Sequence, residues 1–302
     1  MDHQRSYRGR LAPSPTGYLH LGHARTFWIA HQRTRAAQGT LVFRNEDLDY
    51  QRCKPEFVNA MYADLRWLGL DWNEGPDVGG PFAPYSQSQR RNIYLQCWRQ
   101  LRDGQFIYPC SCSRKDQERA LQAPHEDDDD EMPYPGTCHN RISSAKDWES
   151  PAGTSWRFHV PDNQTITFDD LFFGRQTFTA GRDFSDFLVW RRDDIPAYQL
   201  AVVADDAAMQ VTEVVRGADL LKSTARQLLL FRALGHLPPQ YFHCPLMRDE
   251  NHVRLAKRND AFSLRTLRAQ GAKPEELQRQ FAAEMTYTTK TLSHGDTAKT
   301  NI

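Results

Sequence analysis

Apolar and polar positions alternate over Tyr7–Ala12, the pattern breaks at the Pro- and Gly-punctuated stretch Pro13–Gly17, and helical spacing then runs from about Leu21 to Ala37. Gly39 closes that helix, and the β-prone Thr40-Leu41-Val42-Phe43 turns abruptly into Arg44-Asn45-Glu46-Asp47. Strand, helix and strand in this order predict a βαβ unit. Such a unit implies a parallel sheet with charges at its carboxyl edge, where sheets of this kind bind ligands. Helical spacing returns in Phe57, Met61, Leu65 and Leu68 within Pro55–Leu70, and again over about Gln87–Asp103, beyond a Gly/Pro-rich segment at Gly75–Pro84. From Phe106 to about Phe184 the pattern becomes short strands, a Cys-bearing loop and an acidic run, which predicts a domain inserted into the first. The α/β pattern resumes with the apolar Ile195–Val203, a strand at Val211–Val215 and a helix at Leu220–Leu234 begun by Asp219. For Asp219 a helix N-cap is preferred to a substrate contact.

Composition narrows the class. The 302 residues are 39% hydrophobic and 25% charged, as in a soluble globular enzyme. No apolar run approaches the roughly 20 residues that span a bilayer, and the polar Met1–Arg10 lacks the apolar stretch of a signal peptide, so the expectation is a cytoplasmic protein with no membrane segment. Lys+Arg and Asp+Glu balance at 38 each, so net charge gives no case for wholesale nucleic-acid binding, though a local basic face stays open. Only 8 of the 38 cations are lysine. That favours planar guanidinium forks for carboxylate and phosphate, unless it simply reflects a GC-rich genome. Six cysteines are too few and too irregular for a disulfide scaffold, which fits a reducing compartment. The acidic run His125–Glu131 reads as a solvated loop that would repel phosphates.

Three constellations carry chemistry. The string Ala12-Pro13-Ser14-Pro15-Thr16-Gly17-Tyr18-Leu19-His20-Leu21-Gly22-His23 lies between the first strand and its helix. Its two imidazoles, three residues apart near a helix N-terminus, suit a phosphate, because the N–H groups and the helix dipole there already attract anions. Second, Arg10, Glu46 and Arg216 each fall at or near the carboxyl end of an expected parallel strand. A dicarboxylic amino acid needs such a set: an anion for its ammonium and a cation, ideally an arginine fork, for its distal carboxylate. Third, Cys110, Cys112 and Cys138 have the close-pair-then-distant spacing of a tetrahedral Zn²⁺ site. They leave one ligand open: His139 adjoins Cys138, which strains simultaneous ligation, and His125 lies in the acidic run. Cys53, Cys97 and Cys244 are scattered and read as packing residues.

The His20–His23 string resembles the HIGH motif of class I aminoacyl-tRNA synthetases, and Pro13-Ser14-Pro15-Thr16-Gly17 looks like the glutamyl branch. This resemblance implies an α/β fold, a Rossmann-like doubly wound parallel sheet in two halves, 1–105 and 191–260. An inserted zinc-bearing α+β subdomain would occupy 106–190, and a short helical extension with a polar tail 261–302. It also implies a KMSKS-like loop, matched by Arg254-Leu255-Ala256-Lys257-Arg258. Lys257 falls on the lysine used for ATP, while Arg254 and Ala256 depart from the pattern. By the same resemblance Arg10, Leu11, Ala12, Pro13 and Ser14 contact glutamate, Glu46 receives its ammonium, and Tyr198 and Arg216 complete the pocket. His20, His23 and Lys257 serve ATP, which arrives with Mg²⁺. Resemblance to a zinc-binding paralogue nominates Tyr134 as fourth ligand, with His139 the alternative.

Only about 45 residues follow Lys257, too few for anticodon-reading domains. That combination resembles the glutamyl-queuosine tRNA(Asp) synthetases, and so implies a monomer that takes L-glutamate, ATP and queuosine-containing tRNA(Asp). A truncated glutamyl-tRNA synthetase charging a 3′ end, and a non-catalytic paralogue binding glutamate, adenylate or RNA, are the alternatives.

Overall fold

The computed structural model describes residues 6–112, 134–247 and 263–293, the side chains of 286–293 excepted. Strand β1 (Arg8–Leu11), helix α1 (Leu21–Ala36) and strand β2 (Thr40–Phe43) form the expected βαβ unit, with Arg8 opposite Thr40 and Leu11 opposite Phe43 in parallel register. Gly9 is needed there, since a Cβ on it would lie 2.5 Å from Thr34 Oγ1 of the covering helix. Helices α2 (Pro55–Trp67) and α3 (Arg91–Asp103) follow, the second preceded by a single 3₁₀ turn at Gln87–Gln89.

The second half supplies helix α4 (Tyr198–Ala208), strand β8 (Glu213–Gly217), helix α5 (Leu221–Ala233) and strand β9 (Gln240–Cys244), with β8 and β9 parallel. Strand β9 was not anticipated from the sequence. Strand β1 lies beside β8: the Arg8 N–H donates to Thr212 Oγ1 (2.8 Å) and the Thr212 N–H to Arg8 O (2.9 Å). The two halves therefore meet with the helices that follow β1 and β8 starting at the same edge, the switch point at which doubly wound sheets bind ligands. Helix α5 begins at Leu221 with Leu220 at its N-cap and no side-chain cap; Asp219 lies in the preceding 3₁₀ turn Ala218–Leu220 and does not begin the helix. The chain closes with α6 (Leu264–Ala269), capped by Ser263, and α7 (Pro274–Ser293).

The segment between the halves divides between two sheets. Strands β3 (Ile107–Cys110), β4 (Ser155–Phe158) and β7 (Phe187–Trp190) form an antiparallel sheet of their own. The hairpin β5 (Thr165–Asp170) and β6 (Gly174–Thr179) instead joins β9 through Asp170 opposite Tyr241. The three-stranded sheet is not a loosely hinged module. Trp156, Phe187 and Trp190 share one buried cluster with Trp98 of α3, Leu200 of α4 and Leu230 of α5. Trp98 and Trp156 meet edge to face at 4.9 Å. Among the described residues no helix is long and apolar enough to cross a membrane.

A charged lattice lies under the carboxyl edge. Asp205, fully buried in α4, accepts from Arg90 Nε (2.6 Å), Gln87 Nε2 (2.8 Å) and Tyr94 Oη (3.0 Å), and Arg44 Nε is 3.8 Å away. Removing one member of a buried ion network strands its partners, at about 3–5 kcal/mol. Asp205→Ala is expected to lower the unfolding free energy from urea titration by that amount, with Asp205→Asn intermediate; an unchanged free energy would show that the lattice contributes nothing to stability.

Candidate functional site

Strand β2 ends where the chain must carry charge. Arg44, fully buried, donates to Glu46 Oε1 through Nε (3.2 Å) and Nη2 (2.9 Å) and to Asp206 Oδ1 through Nη1 (2.6 Å). Glu46 also donates its backbone N–H to Pro13 O (3.1 Å), which ties the loop after β1 to the end of β2. Burial pushes the Glu46 carboxyl up, and Arg44 opposes the shift. Arg10 is buried, donates from Nη1 to Val215 O (2.7 Å), and carries Nε 3.9 Å from Asp206 Oδ1. Burial lowers its pKa, with Asp206 opposing.

Arg216 differs from the other buried arginines here. It donates to Thr224 Oγ1 (2.7 Å), Gln227 Oε1 (2.8 Å), His243 Nε2 (3.1 Å) and Leu220 O (3.3 Å), all neutral acceptors. The carboxylate of Asp170 reaches it only through the His243 ring, whose Nδ1 is 2.6 Å from Asp170 Oδ2. These contacts fix the tautomer, with Nδ1–H donating to Asp170 and Nε2 accepting from Arg216. Burial drives His243 down to about 4, and the adjacent Arg216 adds to the effect against the pull of Asp170. Tyr198, at the start of α4, is 40% exposed and stands within the electrostatic reach of Arg216, Glu46, Arg10 and Asp206. The residue is part-exposed while its hydroxyl lies deep among the charged groups, as in a side chain lining a crevice. Burial raises its pKa, with Arg216 opposing.

The structure therefore brings Arg10, Glu46, Tyr198 and Arg216 together. Leu11 is different: its side chain lies in the core, and its carbonyl accepts the Arg44 N–H (2.8 Å). Ala12 and Pro13 lead to Ser14, the exposed member of the segment. His20 is the N-cap of α1 in extended conformation, and its ring stacks on His23 at 3.9 Å. Both imidazoles stand at the first turn of the helix, where its N–H groups point outward. Lys257 and the rest of Arg254–Arg258 lie outside the described residues, but the flank of that segment does not. Ser263 bridges His20, the Leu264 N–H donates to Leu19 O (2.7 Å), and Arg265 donates to Tyr18 Oη (2.8 Å). The other flank is held as well, since Arg25 of α1 donates to Pro245 O.

At the end of β3, Cys110, Cys112 and Cys138 gather with their sulfurs within 4.8 Å of one another. This is a possible three-cysteine metal site. The Tyr134 hydroxyl is 3.4 Å from Cys110 Sγ and 3.5 Å from Cys112 Sγ, and it accepts the Cys138 N–H (3.0 Å). Burial raises the Cys138 thiol, but hydrogen bonds led by that from Tyr134 outweigh it and bring the group to about 7. His139 turns away and pairs with Asp186, which also accepts from Tyr108 and from the Val160 N–H (2.8 Å). His125 and the acidic run lie outside the described residues. Cys97 and Cys244 are buried packing residues, and Cys53 is half-buried.

Sequence reasoning missed the parts played by Arg44, Asp206, Asp170 and His243. Two carboxylates in the otherwise apolar Leu200–Ala208 were a readable signal of buried ion pairing, and Arg44 stands in the charged run that ends β2; Asp170 and His243 had no such signal.

Residues 6–293 match the family model of class I tRNA synthetases (E and Q), catalytic domain. A relative from Symbiobacterium thermophilum named glutamyl-Q tRNA(Asp) synthetase is 47% identical, over 88% of this chain and 83% of its own. Another of the same name from Nitratidesulfovibrio vulgaris is 47% identical, over 87% and 82%. The solved glutamate-tRNA synthetase from Elizabethkingia anophelis superposes with a TM-score of 0.73 at 27% identity, covering 89% of this chain. The chain spans 54% of the length of that synthetase.

The buried imidazole has a pH signature. Between its unfolded value of 6.5 and its folded value of about 4, the unfolded chain binds a proton that the folded chain refuses. Stability should therefore fall as pH falls through this window, by on the order of 3 kcal/mol. Melting at pH 7, 5.5 and 4.5 measures it. His243→Asn should flatten the slope, and a slope identical to that of the parent would remove His243 as its source.

Proposed function

The chain belongs to the family of class I tRNA synthetases (E and Q), which it matches through the catalytic domain, and on that premise we propose that it activates L-glutamate with ATP and passes the glutamyl group to the queuosine base in the anticodon of tRNA(Asp). The observation that carries the reading is the convergence of Arg10, Glu46, Tyr198 and Arg216 at the carboxyl edge. Arg216 has neutral partners only among the described residues, so an anionic ligand supplies the carboxylate that a buried guanidinium calls for. Glu46, oriented by Arg44, takes the ammonium group. Arg10, Tyr198 and Arg216 take the distal carboxylate, and the segment Ala12–Ser14, exposed at Ser14, flanks the substrate.

In the first step an α-carboxylate oxygen attacks the α-phosphorus of ATP, and pyrophosphate leaves with Mg²⁺. Little proton transfer is required, so the protein's part is positioning and charge stabilisation. His20 and His23 donate to phosphoryl oxygens at the helix N-terminus, and Lys257 holds the pyrophosphate. In the second step a ring hydroxyl of queuosine attacks the acyl carbon of the mixed anhydride, releasing AMP and a proton. Separately, Cys110, Cys112, Cys138 and Tyr134 hold one structural Zn²⁺. Its role is to staple the Cys110–Cys138 connection, and the clustered thiols with a phenol in contact fit a small tetrahedral cation.

Incubation with ATP and labelled glutamate, offering tRNA(Asp) with and without queuosine and tRNA(Glu), tests the reaction. Label is expected only on the queuosine-bearing RNA. Label at the 3′ end of tRNA(Glu) would overturn the acceptor, and absence of glutamate-dependent pyrophosphate exchange would overturn the activation step. For the metal, Cys110→Ser should lose stoichiometric zinc and His139→Ala should keep it; loss of zinc from His139→Ala as well would replace Tyr134 with His139 in the ligand set, and undiminished zinc in Cys110→Ser would overturn the set.

A further inference from the structure

Tyr241 lies on β9 opposite Val214 of β8, two residues before His243 and on the same face of the strand. Its ring is 3% exposed and packs against Phe168 at 6.1 Å, and the Arg216 guanidinium sits over it at 5.2 Å. Its hydroxyl is buried and has no hydrogen-bond partner among the described residues. The charged groups within its electrostatic reach are Arg216, Asp206 and Arg10, with Tyr198 beside them. Arg216, Asp206 and Arg10 also surround Tyr198, so the phenol adjoins the crevice, with Arg216 over its ring.

A second buried donor is also unused: Arg10 Nε makes no hydrogen bond within the described residues. Buried polar groups nearly always find partners. Two idle donors flanking a guanidinium that has only neutral partners mark the place of a group that only accepts, which is the chemistry of a carboxylate. Asp206 does not fill that role, because its Oδ1 is already taken by Arg44 at 2.6 Å and lies 3.9 Å from Arg10 Nε.

We infer that Tyr241 is a substrate-binding residue, its hydroxyl donating to the distal carboxylate of the acidic amino acid beside Arg10 Nε and Arg216. This rests on the reading of the crevice as a glutamate site and deepens it. The phenol ring supports Arg216 from below, and the hydroxyl completes the donor set only once substrate is bound. Its hydrogen bond is made in ground state and transition state alike, so it contributes to affinity and leaves turnover unchanged.

Tyr241→Phe separates this from a packing role, because it keeps the ring and removes only a hydroxyl that nothing in the described structure holds. Melting without ligand should stay the same or rise. The glutamate concentration that gives half of the maximal thermal shift should increase about tenfold, the loss expected for a hydrogen bond to a charged group. In pyrophosphate exchange, KM for glutamate should rise by the same factor, with kcat and KM for ATP unchanged. A variant that melts lower yet responds to glutamate as the parent does would make Tyr241 a packing residue and overturn the inference. A parent protein that no acidic amino acid stabilises would instead overturn the reading of the crevice, and the inference with it.

Discussion

A charge taken out of water must be met by another, and the carboxyl edge of this sheet is organised around that constraint. Arg44 and Arg90 are buried with Asp205, Asp206 and Glu46 in a lattice of short hydrogen bonds. Isolated ions at such depth would cost more than the fold can supply, so each member is held in place by the others. The result is a rigid floor in which Glu46 has one orientation, set by two bonds from the guanidinium two residues before it. Arg216 is held with equal firmness but by neutral acceptors, and that asymmetry leaves its guanidinium without a hydrogen-bonded carboxylate among the described residues.

The same edge gathers contributions from distant parts of the chain. The hairpin β5 to β6 brings Asp170 to His243 and, through that ring, to Arg216. The turn carrying His20 and His23 is joined to the start of α6 by the Ser263 bridge and the Leu264 bond. The Trp98–Trp156 contact and its surrounding cluster join the inserted sheet to α3, α4 and α5. The charged carboxyl edge and the inserted sheet are thereby referred to a common frame, as the proposed two-substrate condensation would require.

The sequence by itself determined what depends on near neighbours. Period-2 and period-3.6 patterning placed β1, α1 and β2 to within a residue or two, because burying one face of a strand or helix imposes those repeats. The twelve-residue string at His20 and the Cys-x-Cys spacing were legible for the same reason, since their chemistry is written along a short stretch. Tertiary structure alone decided the rest. Arg44 meets Asp206 across 162 positions and His243 meets Asp170 across 73, and no local pattern encodes such pairings. Asp219 looked like a cap by residue type, yet the turn Ala218–Leu220 set the helix start beyond it. Beside Cys138, Tyr134 reaches the sulfurs while His139 does not, because Asp186 on a separate strand approach captures the imidazole. Which buried donors stay unspent is likewise a property of the assembled fold, since a group is satisfied or left idle only by what the rest of the chain brings within reach of it.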